Sequence, residues 1–500
     1  MDNIDIISRI SSYKTVAIVQ LIASIVLLAF VVWSKLLPPK YVLAIAAVVV
    51  LLFALFFFWI RTKKNKTYTK GALISKGFGK ILSLLLSIGM ILGSCYGYMG
   101  VDKLKSLFTK EVIEYNHYAV YVLNNSEIKT VDDLKGLTIE MSSVYDEGLN
   151  DVALKKMEEA GIDVSIVLVD DYDLLASDLY DDRIKAILVD TTYDTMLVTN
   201  HETFEDDVRE VWGVDIDIKE AGTGQSNYTY VPRELLITEE AFNIYISGMD
   251  SYGKVAGKSR TDVNLVLTVN PVTKEILMTS IPRDYYVKLA DKNGSDKLTH
   301  SGLGGVAASA QTVANLLGVD IDYYFKVGFS SLVGIVDALG GVTVYSPQAF
   351  TTLHGNYYIK QGDNFMDGAK ALGFVRERYA FARGDNERVK NTQRLLTAII
   401  KKAASPAILT NYTQILKAVN GLFITNMSSD DIFLLVQMQL NDMAEWHFSS
   451  QACVGSGKMM TGGYYMPKNN LYYMIPKEES VQKAHENILT IMNGGTITEE

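Results

Sequence analysis

Arginine is concentrated in one part of this 500-residue chain. Of its twelve arginines, seven fall between residues 260 and 394: Arg260, Arg283, Arg376, Arg378, Arg383, Arg388 and Arg394. A guanidinium makes paired hydrogen bonds to phosphate that an ammonium cannot match, and each charge-assisted bond is worth about 1.5 to 3 kcal/mol. The cluster predicts a site for a ligand with several negative oxygens, such as a pyrophosphate. Any one of these arginines can instead stay solvated or pair with a carboxylate.

The spacing of the later arginines strengthens the first reading. Arg376 and Arg378 are two apart in the aromatic, β-prone run ALGFVRERYAF, so a strand would point both to one face and Glu377 to the other. Arg383 falls in a Gly-Asp turn. Arg388 begins the predicted helix RVKNTQRLLTAIIKKA, and a helix start favours anions.

Acidic residues lie near the first arginines in the sequence. In TSIPRDYYV a predicted strand ends at Pro282, so that Arg283 is held rigidly, and Asp284 can orient that arginine or accept a proton from an attacking hydroxyl. Asp250 in SGMDSYG and Asp262 in SRTDVN are candidate ligands of Mg²⁺, which takes few carboxylates and leaves places for phosphate oxygens, and Asp284 is a third candidate. These acids can equally cap turns or pair with the arginines.

The elements around these residues predict an α/β fold with a sheet covered by helices. VNLVLTV and EILMTSI form a hairpin across an Asn-Pro turn, DYYFKVGF and VTV are further strands, and SSLVGIVDALGG is a helix closed by two glycines. VAASAQTVANLLG has helical spacing and small residues. Its alanines would allow close helix packing.

Three apolar stretches precede this region, at about residues 16–37, 41–60 and 81–99, and each approaches the ~20 residues that cross a bilayer as a helix. The loop RTKKNKTYTKGALISK carries six basic residues and no acid, which places it in the cytoplasm. Arg9 and Lys14 place the N-terminus there too. We therefore expect a multi-pass membrane protein whose residues beyond about 100 are extracellular, as in a Gram-positive bacterium.

The outer part is acidic, with 36 Lys+Arg and 55 Asp+Glu after residue 100, and this argues against a nucleic-acid partner. Only two cysteines occur, so no disulfide framework is expected. The six histidines show no HExxH spacing, and the sequence has no GxSxG elbow or GxxxxGK[ST] loop.

Residues 101–231 alternate short β-rich runs with helix-like stretches, which predicts a small accessory α/β domain. Within it, IKTVDDLKGLTIEM resembles one lobe of extracellular solute-binding proteins. The domain is interpreted either as a ligand-binding domain or as a spacer or docking domain.

Five motifs occur in the order and spacing of the LytR-CpsA-Psr family: SGMDSYG, SRTDVNLVLTVNPVTKEILMTSIPRDYYV, DKLTHSG, VDALGGV and ALGFVRERYAFARGDNERVKNTQ. The chain resembles the streptococcal-type capsule-locus members of that family. The resemblance covers residues 235–495 and implies an α/β/α catalytic core with a mixed central sheet. It further implies an extracytoplasmic transferase that moves a glycopolymer, here capsular or exopolysaccharide, from undecaprenyl pyrophosphate to peptidoglycan through a phosphodiester. In that family the lipid is held between sheet and helices, so the helix VAASAQTVANLLG is a candidate wall for it, unless its alanines only allow close helix packing.

The resemblance also implies roles for individual residues. Asp250 and Asp262 look like ligands of Mg²⁺ or Mn²⁺, and Asp262, Arg283 and Asp284 are the expected catalytic residues. The phosphate-binding residues are expected to be Arg260, Arg283, Lys297, Arg376, Arg378, Arg388 and Gln393. Lys297, Thr299 and His300 belong to the DKLTH motif, whose role the resemblance leaves open. Asn391 and Thr392 stand where many members carry Arg or Gln.

The partners implied are lipid-linked polysaccharide, peptidoglycan and membrane lipid, with capsule polymerase and export proteins as further candidates. Two other functions remain open. One is a lipid-pyrophosphate hydrolase that uses the same arginines with water as acceptor. The other is a non-catalytic regulator or receptor of polysaccharide synthesis.

Overall fold

The computed structural model describes residues 12–63, 67–109, 115–144, 148–201, 203–217, 233–249, 255, 257–381, 385–405 and 423–497. Asp250 and Arg383 lie outside the described residues. The chain divides into two compact units: Met1–Lys110, Ile400–Lys417 and Met427–Glu445 form the first, and Glu111–Ile399, Ala418–Asn426 and Trp446–Glu500 the second.

The described helices are α1 (Tyr13–Ser34), α2 (Pro39–Ile60), α3 (Lys70–Thr109), α4 (Leu149–Glu159), α5 (Tyr172–Tyr180), α6 (Asp194–Leu197), α7 (Phe204–Asp207), α8 (Val306–Leu317), α9 (Phe329–Ala338), α10 (Gly368–Arg376), α11 (Asp385–Ala403), α12 (Ser429–Asp442) and α13 (Glu478–Met492). Short 3₁₀ turns occupy Val131–Leu134, Thr191–Tyr193 and Leu298–Gly304.

The described strands are β1 (Tyr115–Leu123), β2 (Thr138–Ser142), β3 (Ser165–Val169), β4 (Ile187–Asp190), β5 (Val208–Asp217), β6 (Phe242–Gly248), β7 (Val263–Asn270), β8 (Glu275–Ile281), β9 (Tyr286–Lys288), β10 (Ser295–Lys297), β11 (Tyr323–Val327), β12 (Val342–Ser346), β13 (Phe350–Thr351), β14 (Tyr358–Ile359), β15 (Gly362–Met366), β16 (Phe423–Thr425), β17 (His447–Ala452), β18 (Gly455–Met460) and β19 (Leu471–Pro476).

The first unit contains three helices that are long and apolar enough to cross a membrane, over Tyr13–Ser34, Pro39–Ile60 and Lys70–Asp102, with mean hydropathies of 2.7, 3.0 and 1.8. Pro39 starts α2 because a first-turn position needs no N–H donor. The buried Ser83 hydroxyl donates to Gln20 Oε1 over 2.8 Å, which joins α3 to α1. The three predicted spans therefore form helices.

A five-stranded sheet with the order β3-β2-β4-β1-β5 begins the second unit. Strand β2 runs parallel to β3 and β4, while β1 is antiparallel to β4 and β5. Leu149, Ala153 and Met157 of α4 are buried in a hydrophobic cluster on one side of this sheet. The apolar residues of α5 join a second cluster that continues into the rest of the unit.

The second sheet has six strands in the order β16-β11-β6-β7-β8-β17 and mixes parallel and antiparallel pairs. Its two faces are covered differently. Tyr245 and Val266 pack into the large hydrophobic cluster that contains residues of α8 and α13. Their neighbours Ile246 and Leu265 point to the opposite face, where they line a pocket together with residues of α9, α10 and α11. The α/β fold class with a mixed sheet is confirmed.

Candidate active site

The hairpin of β7 and β8 places two of the predicted residues opposite each other. Its register pairs Asn264 with Ile281, so continuing outward by two residues brings Asp262 to Arg283. The Arg283 Nη1 donates to Asp262 Oδ1 over 2.6 Å, and the Asp262 side chain is only 7% exposed. The predicted hairpin therefore sets the geometry of an arginine–carboxylate pair.

Asp284 lies between two cations. Its Oδ1 is 3.3 Å from Lys297 Nζ, and its Oδ2 is 3.8 Å from Arg283 Nε. Lys297 Nζ also lies 5.6 Å from the centre of the Tyr473 ring. Because the Asp284 side chain is 26% exposed, its carboxylate remains accessible from solvent while both neighbours hold it in place.

The DKLTH motif forms a rigid turn behind these residues. Asp296 is almost fully buried and accepts hydrogen bonds from His300 Nδ1 and from the backbone N–H groups of Lys297 and Tyr465. Burial alone would raise the pKa of Asp296, but these hydrogen bonds outweigh it and hold the pKa below its ordinary value. The motif therefore contains an internal hydrogen bond between Asp296 and His300, and this bond fixes the position from which Lys297 projects.

Backbone hydrogen bonds tie this turn to the arginine-bearing segments. The Thr299 N–H donates to the Arg283 carbonyl over 2.8 Å, and the Thr299 carbonyl accepts from the Thr261 N–H over 3.0 Å. The Gly302 carbonyl accepts from the Ser259 N–H. A Cβ on Gly302 would lie 2.1 Å from the Ser259 carbonyl oxygen, so glycine is needed for this close approach.

The segment of Arg376 and Arg378 differs from the prediction. It is not a strand: α10 runs to Arg376, and Glu377 and Arg378 follow in extended and irregular backbone. Glu377 is buried, and its carboxylate accepts from the backbone N–H groups of Leu353 and Ala380. Glu377 therefore points away from the two arginines, as expected, but a helix end and a buried carboxylate produce this arrangement.

Arg376, Arg378 and Arg388 line one pocket together with Asp262. The Arg376 guanidinium lies 4.3 Å from the centre of the Phe329 ring, and Arg388 is in the first turn of α11 and largely buried. The pocket has a volume of about 290 Å³. Its apolar lining comes from both layers, with Ile246, Leu265, Leu332, Leu372, Leu395 and Ile399 among it. The site thus combines three guanidiniums, a carboxylate and an apolar interior.

The helix predicted as a candidate wall is elsewhere. Ala310 and Ala314 of α8 are buried in the hydrophobic cluster on the other face of the sheet. The lining of the pocket comes from α9, α10 and α11 instead. The wall prediction is wrong, and close packing explains the small residues of α8.

Five predicted residues are not among those that line the pocket: Arg260, Arg283, Asp284, Lys297 and Gln393. Gln393 is buried, and its Nε2 donates to Ser280 Oγ of β8 and to the Gln451 carbonyl of β17, so it holds α11 to the sheet. Arg260 is half-buried two residues before Asp262. The predicted roles of both residues in binding phosphate stay predictions.

Sequence reasoning missed several residues at this site. Phe329, His354 and Tyr379 line the pocket, and Thr392 does so where Gln393 was expected. The aromatic run around Arg376 was a signal for Tyr379, whereas nothing local marked Phe329 or His354. Among the described residues no group of three His, Cys, Asp or Glu side chains is placed to hold a metal ion.

Comparisons with known proteins bear on the same part of the chain. The LytR_cpsA_psr family model matches residues 217–487. The polyisoprenyl-teichoic acid--peptidoglycan teichoic acid transferase TagU of Bacillus subtilis (strain 168) is 33% identical over 228 residues, which cover 45% of this chain and 72% of that protein. The protein of the same name from Bacillus anthracis (strain CDC 684 / NRRL 3495) is 37% identical over 201 residues, 40% of this chain and 65% of its own.

Among solved structures, B. subtilis TagV is 26% identical and aligns over 52% of this chain and 99% of its own, with a TM-score of 0.44. The family match spans more than half of the sequence and contains every predicted site residue. The chain therefore belongs to the LytR-CpsA-Psr family.

Proposed function

We propose that the chain is a membrane-anchored transferase that moves a glycopolymer from undecaprenyl pyrophosphate to peptidoglycan outside the cell. The observation that carries this proposal is the pocket in which Arg376, Arg378 and Arg388 accompany Asp262 beside an apolar interior. The guanidiniums suit the pyrophosphate, and the apolar lining suits the start of the lipid chain. The Bacillus relatives are named as teichoic acid transferases to peptidoglycan, which supports the same reaction class.

Charge explains how such a site would work. Phosphoryl transfer depends mainly on positioning and on neutralising charge as it develops. Arg283 is fixed by Asp262, and Arg376 is placed by Phe329, so neither needs to reorganise during the reaction. The chain would thereby bind the two phosphates and hold the phosphorus between the leaving group and the acceptor.

A divalent cation fits the donor chemistry at Asp262. One carboxylate oxygen, Oδ1, is bonded to Arg283, which leaves Oδ2 as a hard oxygen donor among the pocket-lining residues. Mg²⁺ is bound by one or two carboxylates together with phosphate oxygens, and Asp250 would be the second protein ligand. Bound there, Mg²⁺ would act as a Lewis acid on the phosphoryl oxygens.

Asp284 is the proposed proton acceptor for the attacking hydroxyl. It is the exposed carboxylate next to Arg283, and Lys297 and Arg283 both lie within 4 Å of it. In this role it would take the proton while the acceptor oxygen forms a bond to phosphorus and polyprenyl phosphate leaves. We propose a capsular polysaccharide as the polymer, because the chain resembles the capsule-locus members of the family in the order of its five motifs and in having several membrane helices.

The test is a transfer assay with the full chain in lipid nanodiscs, labelled lipid-linked polymer and purified peptidoglycan. We expect a phosphodiester-joined product that is lost in Arg376→Ala. The matched control is Arg394→Ala, because Arg394 pairs with Glu387 and Asn391 and is not among the pocket-lining residues. Release of free polymer without joining would favour a hydrolase. If the chain binds the lipid-linked donor but leaves it chemically unchanged, the result would favour a receptor.

A further inference from the structure

Three large side chains next to the pocket are exposed: Leu353 is 63%, Tyr358 65% and Tyr379 83% exposed. Single exposed apolar residues are normal on protein surfaces, whereas clusters of them mark interaction sites. We call these three residues the rim. Tyr379 and His354 line the pocket, and the rim residues lie on the two loops that carry Tyr379 and His354.

Hydrogen bonds hold the two loops together. The buried Glu377 carboxylate accepts from the Leu353 N–H on one loop and from the Ala380 N–H on the other. The Thr352 N–H donates to the Tyr357 carbonyl, and β13 pairs Thr351 with Tyr358. The rim is therefore a fixed surface that exposes one apolar and two aromatic side chains.

A neighbouring ribbon also exposes aromatic side chains. Strands β12 and β15 alternate buried and exposed residues, and their exposed side carries Tyr345, 55% exposed, and Phe365, 64% exposed. The ribbon leads directly into β13 and out of β14, so the chain passes from the ribbon to the rim and back within a few residues.

We propose that the rim docks into the headgroup region of a phospholipid bilayer. This inference rests on the proposed function, which gives the pocket a polyprenyl chain to hold. A pocket of about 290 Å³ is at the lower end of ligand cavities and takes only part of so long a lipid, so the remainder must stay in a bilayer beside the pocket. Tyrosine is enriched at membrane–water interfaces, where its ring and hydroxyl are both satisfied.

Charge favours a bilayer at this place. Beyond residue 100 the chain has 36 basic and 55 acidic residues, and an anionic bilayer would repel most of such a surface. Residues 352–380 differ, because apart from the two pocket arginines and the buried Glu377 they carry two lysines and two aspartates, which balance. The three membrane-spanning helices keep a bilayer within reach at all times.

Spin labels test this docking without any substrate. Leu353→Cys and Tyr358→Cys are labelled separately in the full chain, with Cys95→Ser and Cys453→Ala as background, in nanodiscs containing phosphatidylglycerol. The control is Val272→Cys, which is 65% exposed in the turn between β7 and β8. We expect oxygen to relax the rim labels several-fold more than a water-soluble nickel chelate does, with the opposite order at Val272.

Two results would overturn the proposal. Rim labels that behave like the Val272 label would place the rim in water, and labels shielded from both reagents would mean that a protein covers it. Because no donor lipid is present, a failed transferase assay does not affect this result. As an independent measure, the double variant Leu353→Ser/Tyr358→Ser should raise the KM for bilayer-embedded donor several-fold, and leave the rate with a short-chain donor in detergent unchanged.

Discussion

The Arg283 guanidinium donates to the Asp262 carboxylate over 2.6 Å, across the open end of the hairpin that carries both residues. The pair couples two roles, because the same carboxylate that orients the arginine also lines the pocket. Arg283 Nε lies 3.8 Å from Asp284, so one side chain contacts both acids. A single planar side chain therefore fixes the relative positions of the carboxylates on which the proposed chemistry depends.

Arg283→Lys should lose most of the transferase activity. One ammonium cannot bond to Asp262 and at the same time present a fork to phosphate. Losing one or two charge-assisted bonds, at about 1.5 to 3 kcal/mol each, corresponds to a fall of tenfold or more in kcat/KM. Steady-state rates with lipid-linked donor measure this, and Arg394→Lys is the control. Near-normal activity of Arg283→Lys would mean that the site needs only charge.

Asp262→Asn should weaken the binding of Mg²⁺ and leave the fold largely unchanged. The amide keeps the shape of the side chain and can still accept from Arg283, but it removes the negative charge that favours a hard cation. We expect the Mg²⁺ concentration for half-maximal rate to rise at least tenfold. Titration of activity with Mg²⁺ and of binding with Mn²⁺ would measure it, and an unchanged Mn²⁺ affinity would contradict a metal site here.

Asp284→Asn should lower kcat by about 10²-fold or more, because general base catalysis typically contributes 10² to 10⁴ in rate. The KM for donor should change little, since Asp284 is not among the pocket-lining residues. If the variant transfers at a near-normal rate with lipid binding intact, Asp284 does not accept the proton.

The sequence predicted the parts of the site that depend on local pattern. The alternation in residues 263–281 and the Asn-Pro turn were enough for the hairpin, and its register then brings Arg283 to Asp262. The strand prediction at Arg376 was wrong because a helix begins upstream, and its start outweighs the β-prone composition of the segment. Asp367 caps α10 by accepting from the Lys370 N–H, a signal that is present in the sequence.

Long-range packing accounts for the rest. Whether α8 or α11 covers the pocket face depends on which side of the sheet each helix packs, and its own periodicity does not contain that information. Tyr193 and Tyr465 have ring centres 6.1 Å apart, which joins the first sheet's region to the segment that bonds Asp296. Neither residue stood out by spacing, because contacts between distant segments leave no local pattern.

Gly302→Ala should lower both activity and stability. A methyl group 2.1 Å from the Ser259 carbonyl oxygen and 3.0 Å from the Thr261 nitrogen would push away the segment that carries Arg260 and Asp262. Overpacking of this kind costs about 1 to 3 kcal/mol. The midpoint of thermal unfolding and kcat/KM would measure the two effects. Gly77→Ala, where an added methyl meets no atom within 4 Å, should lower neither.

Asp296→Asn should flatten the acid side of the stability profile. The folded-state pKa of Asp296 lies below its ordinary value of 3.8, so the charged form stabilises the fold. That contribution is fully present above the ordinary value and is lost as the pH falls through the depressed folded-state pKa. The wild type should therefore lose thermal stability between pH 5 and pH 3 more steeply than the variant. The variant starts lower at pH 7 because a neutral amide oxygen accepts the hydrogen bonds from this turn less strongly than a carboxylate does. If the unfolding midpoints of the two proteins change in parallel over that pH range, the Asp296 carboxylate does not stabilise the turn that positions Lys297.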